Sequence, residues 1–414
     1  MIHSTHASYR IAVLTMLLLG AAGFPTSAQD NGRPLTLKIG PGTELTPRAR
    51  VQLDRVDGEL QDEDAVREGV DLARRRVGVE GVLLGRVEFQ VERELAGNGK
   101  WQDVFADYRA LAALRVQGGH FKLPFSLDEN TSPTNLDFVY RSLGAMTLSP
   151  GRDLGVMLHG RLLKRIVRYE GGLFDHDGRG ARTSNPDLVF GGRTTAFRLR
   201  ISPFAPQRKA PANLDDLHVG VAWTDSDVPE GLAGLRGRTV LHASLFTSPY
   251  PVNGARNRVG VEARWRPGPA SVTSEFMRVT TERRGESVED ADLAPLVATA
   301  WYVSGTWSLT GGRKARGLAN PARPLFRGGI GNIELAARVE AIAFDSAGTG
   351  EVPSTSPRAE VIPRVGDRAF TAGVNWYLNR WIKLQANVVR ERLDGTSRTN
   401  AAVWSRLFRV QFEL

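Results

Sequence analysis

Residues 403–414 read Val-Trp-Ser-Arg-Leu-Phe-Arg-Val-Gln-Phe-Glu-Leu. From Phe408 onward the pattern is strict. Phe408, Val410, Phe412 and Leu414 fall on one side of an extended chain, and Arg409, Gln411 and Glu413 on the other. Period-2 alternation of this kind makes a β-strand with one apolar and one charged face. Such a strand fits a membrane-spanning barrel, with hydrocarbon outside and water inside. Taken alone it fits the last strand of a soluble β-sandwich as well.

The same alternation recurs upstream. Strands are expected at about 48–55, 70–80, 82–95, 103–110, 114–122, 154–163, 166–174, 195–203, 217–224, 258–266, 270–280, 298–309, 332–344, 369–378, 381–391 and 403–414. Sixteen is an even number, which lets an antiparallel sheet close on itself. The links alternate in length. Gly81, 111–113, Lys164-Arg165, 266–269 and Asn379-Arg380 are tight; 56–69, 96–102, 123–153, 175–194, 225–257, 281–297, 345–368 and 392–402 are long. Short turns on one side and long loops on the other are the pattern of outer-membrane barrels. The links 204–216 and 310–331 break it, being long where short ones are due, and nothing local explains them.

Two faces can be assigned. Val87, Phe89 and Val91; Phe197, Leu199 and Ile201; Val259, Val261 and Trp265; Trp301, Val303 and Trp307; Phe370, Val374 and Trp376; and Ile382, Leu384, Ala386 and Val388 are expected to point outward. Arg198 and Arg200, Arg258, Glu262 and Arg264, Glu334, Arg338 and Glu340, and Lys383, Gln385 and Asn387 then line the interior. For each interior arginine the bland alternative is a salt bridge within the wall. That is the expectation for Arg86, Arg264 and Arg338, which have acids two residues away, and less so for Arg198 and Arg200, which do not.

The first 28 residues carry one cation, Arg10, an apolar run from Ile11 to Phe24, and Pro25-Thr26-Ser27-Ala28 before Gln29-Asp30. This is the layout of a secretory signal, with cleavage expected after Ala28. The organisation read from the chain is a signal peptide over 1–28, a short periplasmic segment over 29–47, and a barrel over 48–414 in which 123–153 forms a constriction. There are no cysteines, so an exported chain of this composition is not stapled by disulfides. The 54 cations exceed 45 acids, and 47 of the 54 are arginine. Arginine binds phosphate and carboxylate through its planar fork, which suits an anion pathway; GC-rich coding gives the same bias.

The stretch 114–153 contains a loop of about thirty residues whose apolar members, Phe125, Leu136, Phe138, Val139, Tyr140 and Leu143, imply packing against something. Within a barrel, the natural place for it is the lumen.

Phe121-Lys122-Leu123-Pro124-Phe125-Ser126-Leu127-Asp128, followed by Tyr140-Arg141-Ser142-Leu143, resembles the phosphate-selective porins O and P. So do the run Phe370 to Asn379 and Arg74-Arg75-Arg76 ahead of Gly81. The resemblance implies a homotrimer of sixteen-stranded outer-membrane barrels, each narrowed by its third long loop, with arginines and lysines leading anions to the narrowing. Carried over to this chain, it makes Arg50, Arg74, Arg76, Lys122 and Arg141 pore cations, to which the interior face adds Arg198 and Arg200. One departure bears on selectivity. Where the phosphate-binding members have a lysine early in this loop, this chain has Glu129 beside Asp128, and an acid pair repels a dianion. Leu414 also stands where barrels usually end in an aromatic residue.

The expected function is passive, anion-preferring diffusion of phosphate or related oxyanions across the outer membrane of a Gram-negative bacterium, with outer-membrane lipid as the surrounding partner. No catalysis, cofactor, metal or nucleic-acid partner is expected. Beyond residue 28 the histidines, His120, His159, His176, His218 and His242, lie in no nucleophile or metal-ligand spacing. A general, weakly selective porin is the nearest alternative. A secreted basic β-protein that binds polyanions is the other, but its cations would cluster instead of alternating with apolar residues.

Overall fold

The computed structural model describes residues 35–58, 69–97, 99–178, 192–204, 214, 216–232, 235, 237–245, 250–314, 319–346, 358–395 and 402–414. The export signal over 1–28 lies outside the described residues.

The strands are β1 (Leu37–Lys38), β2 (Glu44–Gly58), β3 (Gly69–Leu83), β4 (Val87–Glu94), β5 (Trp101–Leu111), β6 (Leu114–Lys122), β7 (Arg152–Leu162), β8 (Val167–Phe174) and β9 (Thr194–Ile201). They continue with β10 (Leu217–Leu232), β11 (Pro251–Trp265), β12 (Ala270–Arg283), β13 (Leu293–Ser308), β14 (Asn332–Ser346), β15 (Val365–Tyr377), β16 (Ile382–Asp394) and β17 (Ala402–Glu413). From β2 to β17 each strand pairs antiparallel with the next, and β17 pairs back onto β2 through Phe408↔Arg55 and Glu413↔Arg50. The result is a closed sixteen-stranded barrel, and closure removes the unpaired strand edges that no membrane tolerates. β1 adds a two-residue pairing to β2. Among the described residues no helix is long and apolar enough to cross a membrane, which says nothing against crossing by strands.

All sixteen expected strands are present, most of them longer than the alternation suggested. The barrel begins at Glu44 instead of 48. β10 runs on to Leu232, and β11 starts at Pro251. In these extensions both faces carry polar residues, so period-2 hydropathy fades before the hydrogen bonding does. The turn expected at Gly81 is corrected: it is Leu84-Gly85-Arg86, with Leu84 at φ 52° and Gly85 at φ 70°. Two consecutive positive φ values suit a tight hairpin. Gly81 stands within β3 because the neighbouring strand comes close. A Cβ there would lie 2.2 Å from the Glu44 carbonyl oxygen.

The faces follow the pleat. Along β17, Trp404 and Phe408 are exposed outward, while Ser405, Leu407, Arg409 and Gln411 are buried inward. Phe197, Val259, Val261, Trp301, Val303, Trp307, Phe370, Val374 and Val388 are exposed on the outer surface as expected. Ile382 is not; it is buried where the turn 378–381 closes on it, with the Leu378 amide donating to its carbonyl at 3.0 Å.

Two segments from the long-loop side fill part of the lumen. The third loop, 123–151, carries one-turn helices at Leu127–Asn130 and Leu143–Leu148. Its Phe125, Leu143 and Leu148 are fully buried. Each such side chain contributes roughly 1.5–3 kcal/mol on burial. The second segment belongs to the loop between β10 and β11, where Arg238 and Ser244 bridge across a short hairpin. Its Leu235, Val240, Leu241 and Leu245 join Val139, Tyr140, Leu143 and Leu148 in one cluster against Ile342, Phe344, Val389, Leu393, Val403 and Leu407 of the wall. Sequence reading gave that second insertion no role.

Candidate ion pathway and its lining

The third loop is held by the polar inner wall. Glu275 of β12 accepts from the amides of Leu127 (2.5 Å) and Asp128 (2.9 Å) and from the hydroxyls of Ser126 (3.3 Å) and Tyr302 (2.9 Å). Glu340 of β14 accepts from the Leu143 amide (2.6 Å), the Tyr140 hydroxyl (2.9 Å) and Arg338 Nε (2.8 Å). Two wall glutamates thus hold the starts of both loop helices, where backbone N–H groups lack partners of their own. The Arg338 guanidinium also lies 4.4 Å from the Phe138 ring centroid and 4.3 Å from that of Tyr140. Lys383 and Gln385 donate to the Leu136 carbonyl, Gln411 to that of Thr134, and Arg258 to that of Leu148. Inside a water-filled barrel these charges would face solvent; here many of them hold the loop's backbone.

The turn-side link 310–331, anomalous by length, reaches inward through Lys314. Lys314 Nζ donates to Asp137 Oδ1 at 2.6 Å and to Glu334 Oε2 at 2.7 Å. Burial would raise the Asp137 carboxyl, but the Lys314 ammonium outweighs it and holds Asp137 below the usual carboxylate range. The same pairing overcomes burial at Lys314 and raises its ammonium. Most of the other anomalous link, 204–216, lies outside the described residues.

Asp177, just beyond β8, is enclosed by two arginines of β11. Its carboxylate accepts from Arg256 Nη1 at 2.6 Å, and from Arg258 Nη2 at 2.7 Å and Nη1. Burial would raise this carboxyl; Arg258 and Arg256 overcome that and hold it down at about 2.

Among the described residues, three adjoining cavities between the inserted segments and the wall are rich in cations. On the long-loop side, a cavity of about 870 Å³ is lined by Arg74, Arg76, Lys100, Arg141, Arg152, Arg238 and Arg409 against Asp54, Asp71 and Glu129. A second, of about 280 Å³, shares Pro133 and Arg152 with the first and adds Arg48, Arg50, Lys122 and Arg168 against Glu92, Asp103 and Glu170. A third, of about 330 Å³ on the turn side, shares Arg168 and Glu170 with the second and adds Arg198, Arg200, Arg264, Arg266 and Lys314 against Asp137. Cations outnumber acids along each cavity wall.

Six of the seven cations singled out by sequence fall into three groups. Arg50 and Arg76 face the lumen but are paired: Arg50 with Glu413 at 3.2 Å, Arg76 with Glu92 at 3.0 Å and Glu94 at 2.8 Å. Lys122 and Arg141 serve the loop itself. Lys122 donates to the carbonyls of Glu129 and Thr131, and Arg141 to those of Asp128 and Thr131. Arg74 and Arg200 are the more open pair. Arg74 donates to Gln52 Oε1 at 2.5 Å. Arg200 approaches Glu170 at 3.3 Å, and Glu170 is also engaged by Arg168 at 2.7 Å and Arg198 at 3.9 Å.

Arg198 and Arg200, the interior arginines less expected to be salt-bridged, both are: Arg198 forms a two-pronged pair with Glu262 at 2.7–3.0 Å, and Arg200 lies 3.3 Å from Glu170. Glu262 is therefore spent on Arg198. Arg264, which was expected to use it, instead meets the hydroxyls of Thr131 and Thr273 at 3.4 Å. Arg338 is salt-bridged to Glu340, as its neighbouring acid suggested. Arg86, expected on the interior face beside an acid, instead lies exposed in the turn after β3. Asp128 and Glu129 do not form a bare acid pair. Asp128 Oδ2 accepts from the Ser142 amide at 2.7 Å, and Glu129 lies 3.5 Å from Arg141 and 4.0 Å from Lys122.

The family model for phosphate-selective porin O and P matches residues 46–414. An uncharacterized protein of Caulobacter vibrioides is 28% identical over 296 residues, 68% of this chain; the match spans 57% of that relative's length. Among solved structures, the trimer form of OmpT from Vibrio cholerae aligns with TM-score 0.56 at 11% identity, over 90% of this chain and all of that one. The anion-selective porin of Comamonas acidovorans aligns with TM-score 0.55 at 10% identity over 90% and 100%. The outer-membrane channel DcaP of Acinetobacter baumannii aligns with TM-score 0.56 at 11% over 91% and 99%. At these identities the structural likeness is one of fold, a fold of outer-membrane channels.

Proposed function

The chain belongs to the phosphate-selective porin O and P family, and from that premise we propose that this outer-membrane porin passes small anions, phosphate and related oxyanions among them, by passive diffusion. The observation that carries the reading is the uneven charge of the three adjoining cavities, above all the surplus around Glu170. One carboxylate there faces both Arg168 and Arg200, while Arg198, 3.9 Å away, is already paired with Glu262. A narrow aqueous passage between low-dielectric walls focuses the field of such a surplus and concentrates anions within it. A unit charge pair at about 4 Å in water is worth about 1 kcal/mol. Each open arginine is thus a weak station, and transport needs several weak sites in preference to one tight site.

Arg74 at the long-loop cavity and Arg200 and Arg264 at the turn side are the stations in this reading. Their forks can donate two hydrogen bonds to an oxyanion that has shed part of its water. Lys122 and Arg141 are assigned to holding the loop, and Glu129 offsets their charge. That assignment favours a general preference for anions over a single strict phosphate site. The same reading takes the assembly to be a homotrimer, in line with the trimer form of OmpT, and residues 1–28 to be a cleaved export signal. No reaction is assigned to the lumen.

The test is a titration of inorganic phosphate against chloride current through single channels in a planar bilayer. Graded, weak block at high phosphate supports the multi-station passage. Block at low phosphate means a dedicated phosphate site and overturns the assignment of Glu129. Chloride current that phosphate leaves untouched makes the protein a general porin.

A further inference from the structure

Near the long-loop rim of β15, β16, β17 and β2 the polarity of the barrel wall inverts. Inward, Val365, Ala369, Val389, Leu393, Val403 and Leu407 are buried against the inserted loops. Outward, Arg368, Arg390, Arg392, Arg406 and Arg55 are exposed. Each lies within five residues of its strand's long-loop end. The register makes them neighbours: Arg368↔Arg392, Arg390↔Trp404, Arg406↔Asp57 and Phe408↔Arg55. Arg390 lies 5.9 Å from the Trp404 ring centroid. Among the described residues two acids share this outward sector, Asp57 and Asp394, and Asp394 takes Arg368 at 2.9 Å. The rim is not basic all round. Outward positions on β10, β12 and β14 at the same end are Asp225, Asp227, Arg278, Glu282 and Asp345.

Just below the arginines, toward the turn side, the same four strands form a shallow groove of about 420 Å³. Its walls are Leu53, Val374, Leu384, Phe408 and Val410, its floor is the small Ala386, and Arg55 stands at its edge. Arginine on a lipid-facing surface is tolerated only near the interface, so this band marks headgroup level. Among the described residues the band carries five arginines against two acids, which favours an anion, and the apolar groove beneath favours a hydrocarbon chain. A free anion would answer only the first need. Unlike patches meet in a cyclic trimer, so a second copy would answer both needs only by seating an acidic stretch of its own rim on this band.

We infer that this sector is a docking surface for an anionic lipid of the outer leaflet. Arg390, Arg392 and Arg406 hold its headgroup, and one acyl chain lies in the groove over Ala386. Arginine suits the role because its fork takes phosphate or carboxylate two-pronged and is always charged. The inference rests on the outer-membrane location and is independent of the pore's selectivity, since none of these side chains faces the lumen.

The test uses the full-length barrel, purified and stripped of lipid in neutral detergent. Native mass spectrometry then follows retention of bis-phosphorylated lipid A, with zwitterionic phosphatidylethanolamine and inorganic phosphate as comparisons. The wild-type protein should retain lipid A in preference to phosphatidylethanolamine, and millimolar inorganic phosphate should not displace it. An arginine near a charged bilayer surface is worth about fivefold in affinity. The triple variant R390Q/R392Q/R406Q should therefore lose about a hundredfold, with conductance unchanged. Ala386→Trp, which fills the groove and leaves every charge in place, should weaken retention independently. Equal retention of both lipids by the wild-type protein overturns the inference without recourse to any variant. So does a triple variant that keeps lipid A as tightly as the wild type. Protection of Arg390 and Arg392 from phenylglyoxal by subunit contact alone, in lipid-free protein, would assign the surface to a second copy instead.

Discussion

Replacing Glu340 with alanine should release the third loop. Glu340 is 1% exposed and joins three partners: Arg338 of the wall, the Tyr140 hydroxyl and the Leu143 amide of the loop. Removing it leaves the Arg338 guanidinium buried at 3% exposure without its carboxylate. Breaking a buried pair by deleting one partner costs about 3–5 kcal/mol. An orphaned buried amide such as that of Leu143 costs about 1–3 kcal/mol more. Water can reach Arg338 only where the loop now lies, so much of this penalty is relieved when the loop lifts. Taking about 3 kcal/mol as the share relieved, the undocked fraction rises by about two powers of ten. The contacts to Glu275 and Lys383 persist, so the loop should open more often without being lost. The assay is limited proteolysis of the folded barrel, scored by cleavage within 123–151. When reclosing is fast, cleavage rate follows the open population. Single-channel recordings of the same variant should show larger and noisier currents. Glu340→Gln, which keeps an acceptor for Leu143 but not the charge, should fall between wild type and alanine. Cleavage of Glu340→Ala at the wild-type rate, with wild-type conductance, would refute the idea that the wall glutamates hold the constriction.

Three further outcomes follow from the same geometry. Arg74→Ser should lower the ratio of anion to cation permeability by about fivefold in dilute salt, and by less as screening grows, read from reversal potentials. Glu170→Gln should raise that ratio, because it removes the one carboxylate that Arg168 and Arg200 face; a fall would contradict the assignment of the turn-side cavity. The Asp177 carboxyl is held down at about 2 by Arg258 and Arg256 against the effect of burial. A carboxyl lowered on folding contributes stability that is complete above its unfolded value, near 4, and is lost as pH falls through the folded value. Pepsin should therefore leave the segment around Asp177 intact at pH 4 and cut it as pH approaches 2, whereas Asp177→Asn should be cut at both.

The barrel was legible because its strands repeat one local rule. Apolar Phe408, Val410 and Phe412 against Arg409, Gln411 and Glu413 is a statement about neighbours in sequence, and pleat geometry turns it directly into two faces. What the sequence concealed depended on residues far apart. Glu262 stands two residues from Arg264 but binds Arg198, 64 residues away, because those side chains converge inside the lumen. Lys122 and Arg141 look like pore cations until the loop folds and presents carbonyls to them. The insertion around Val240 and Leu241 carries apolar residues (Leu235, Val240, Leu241, Leu245) at no regular period, so it reads as ordinary loop; its partners lie on β14 to β17. Gly81 misled because glycine serves both turns and close strand approach, and only the position of the Glu44 carbonyl distinguishes them.

The most direct measurement is the zero-current potential of the purified wild-type protein in a planar bilayer under a KCl gradient. A cation-surplus lumen predicts a potential of the sign that chloride sets, larger in dilute salt and reduced in concentrated salt. A potential near zero, or one with the sign potassium sets, would contradict the account.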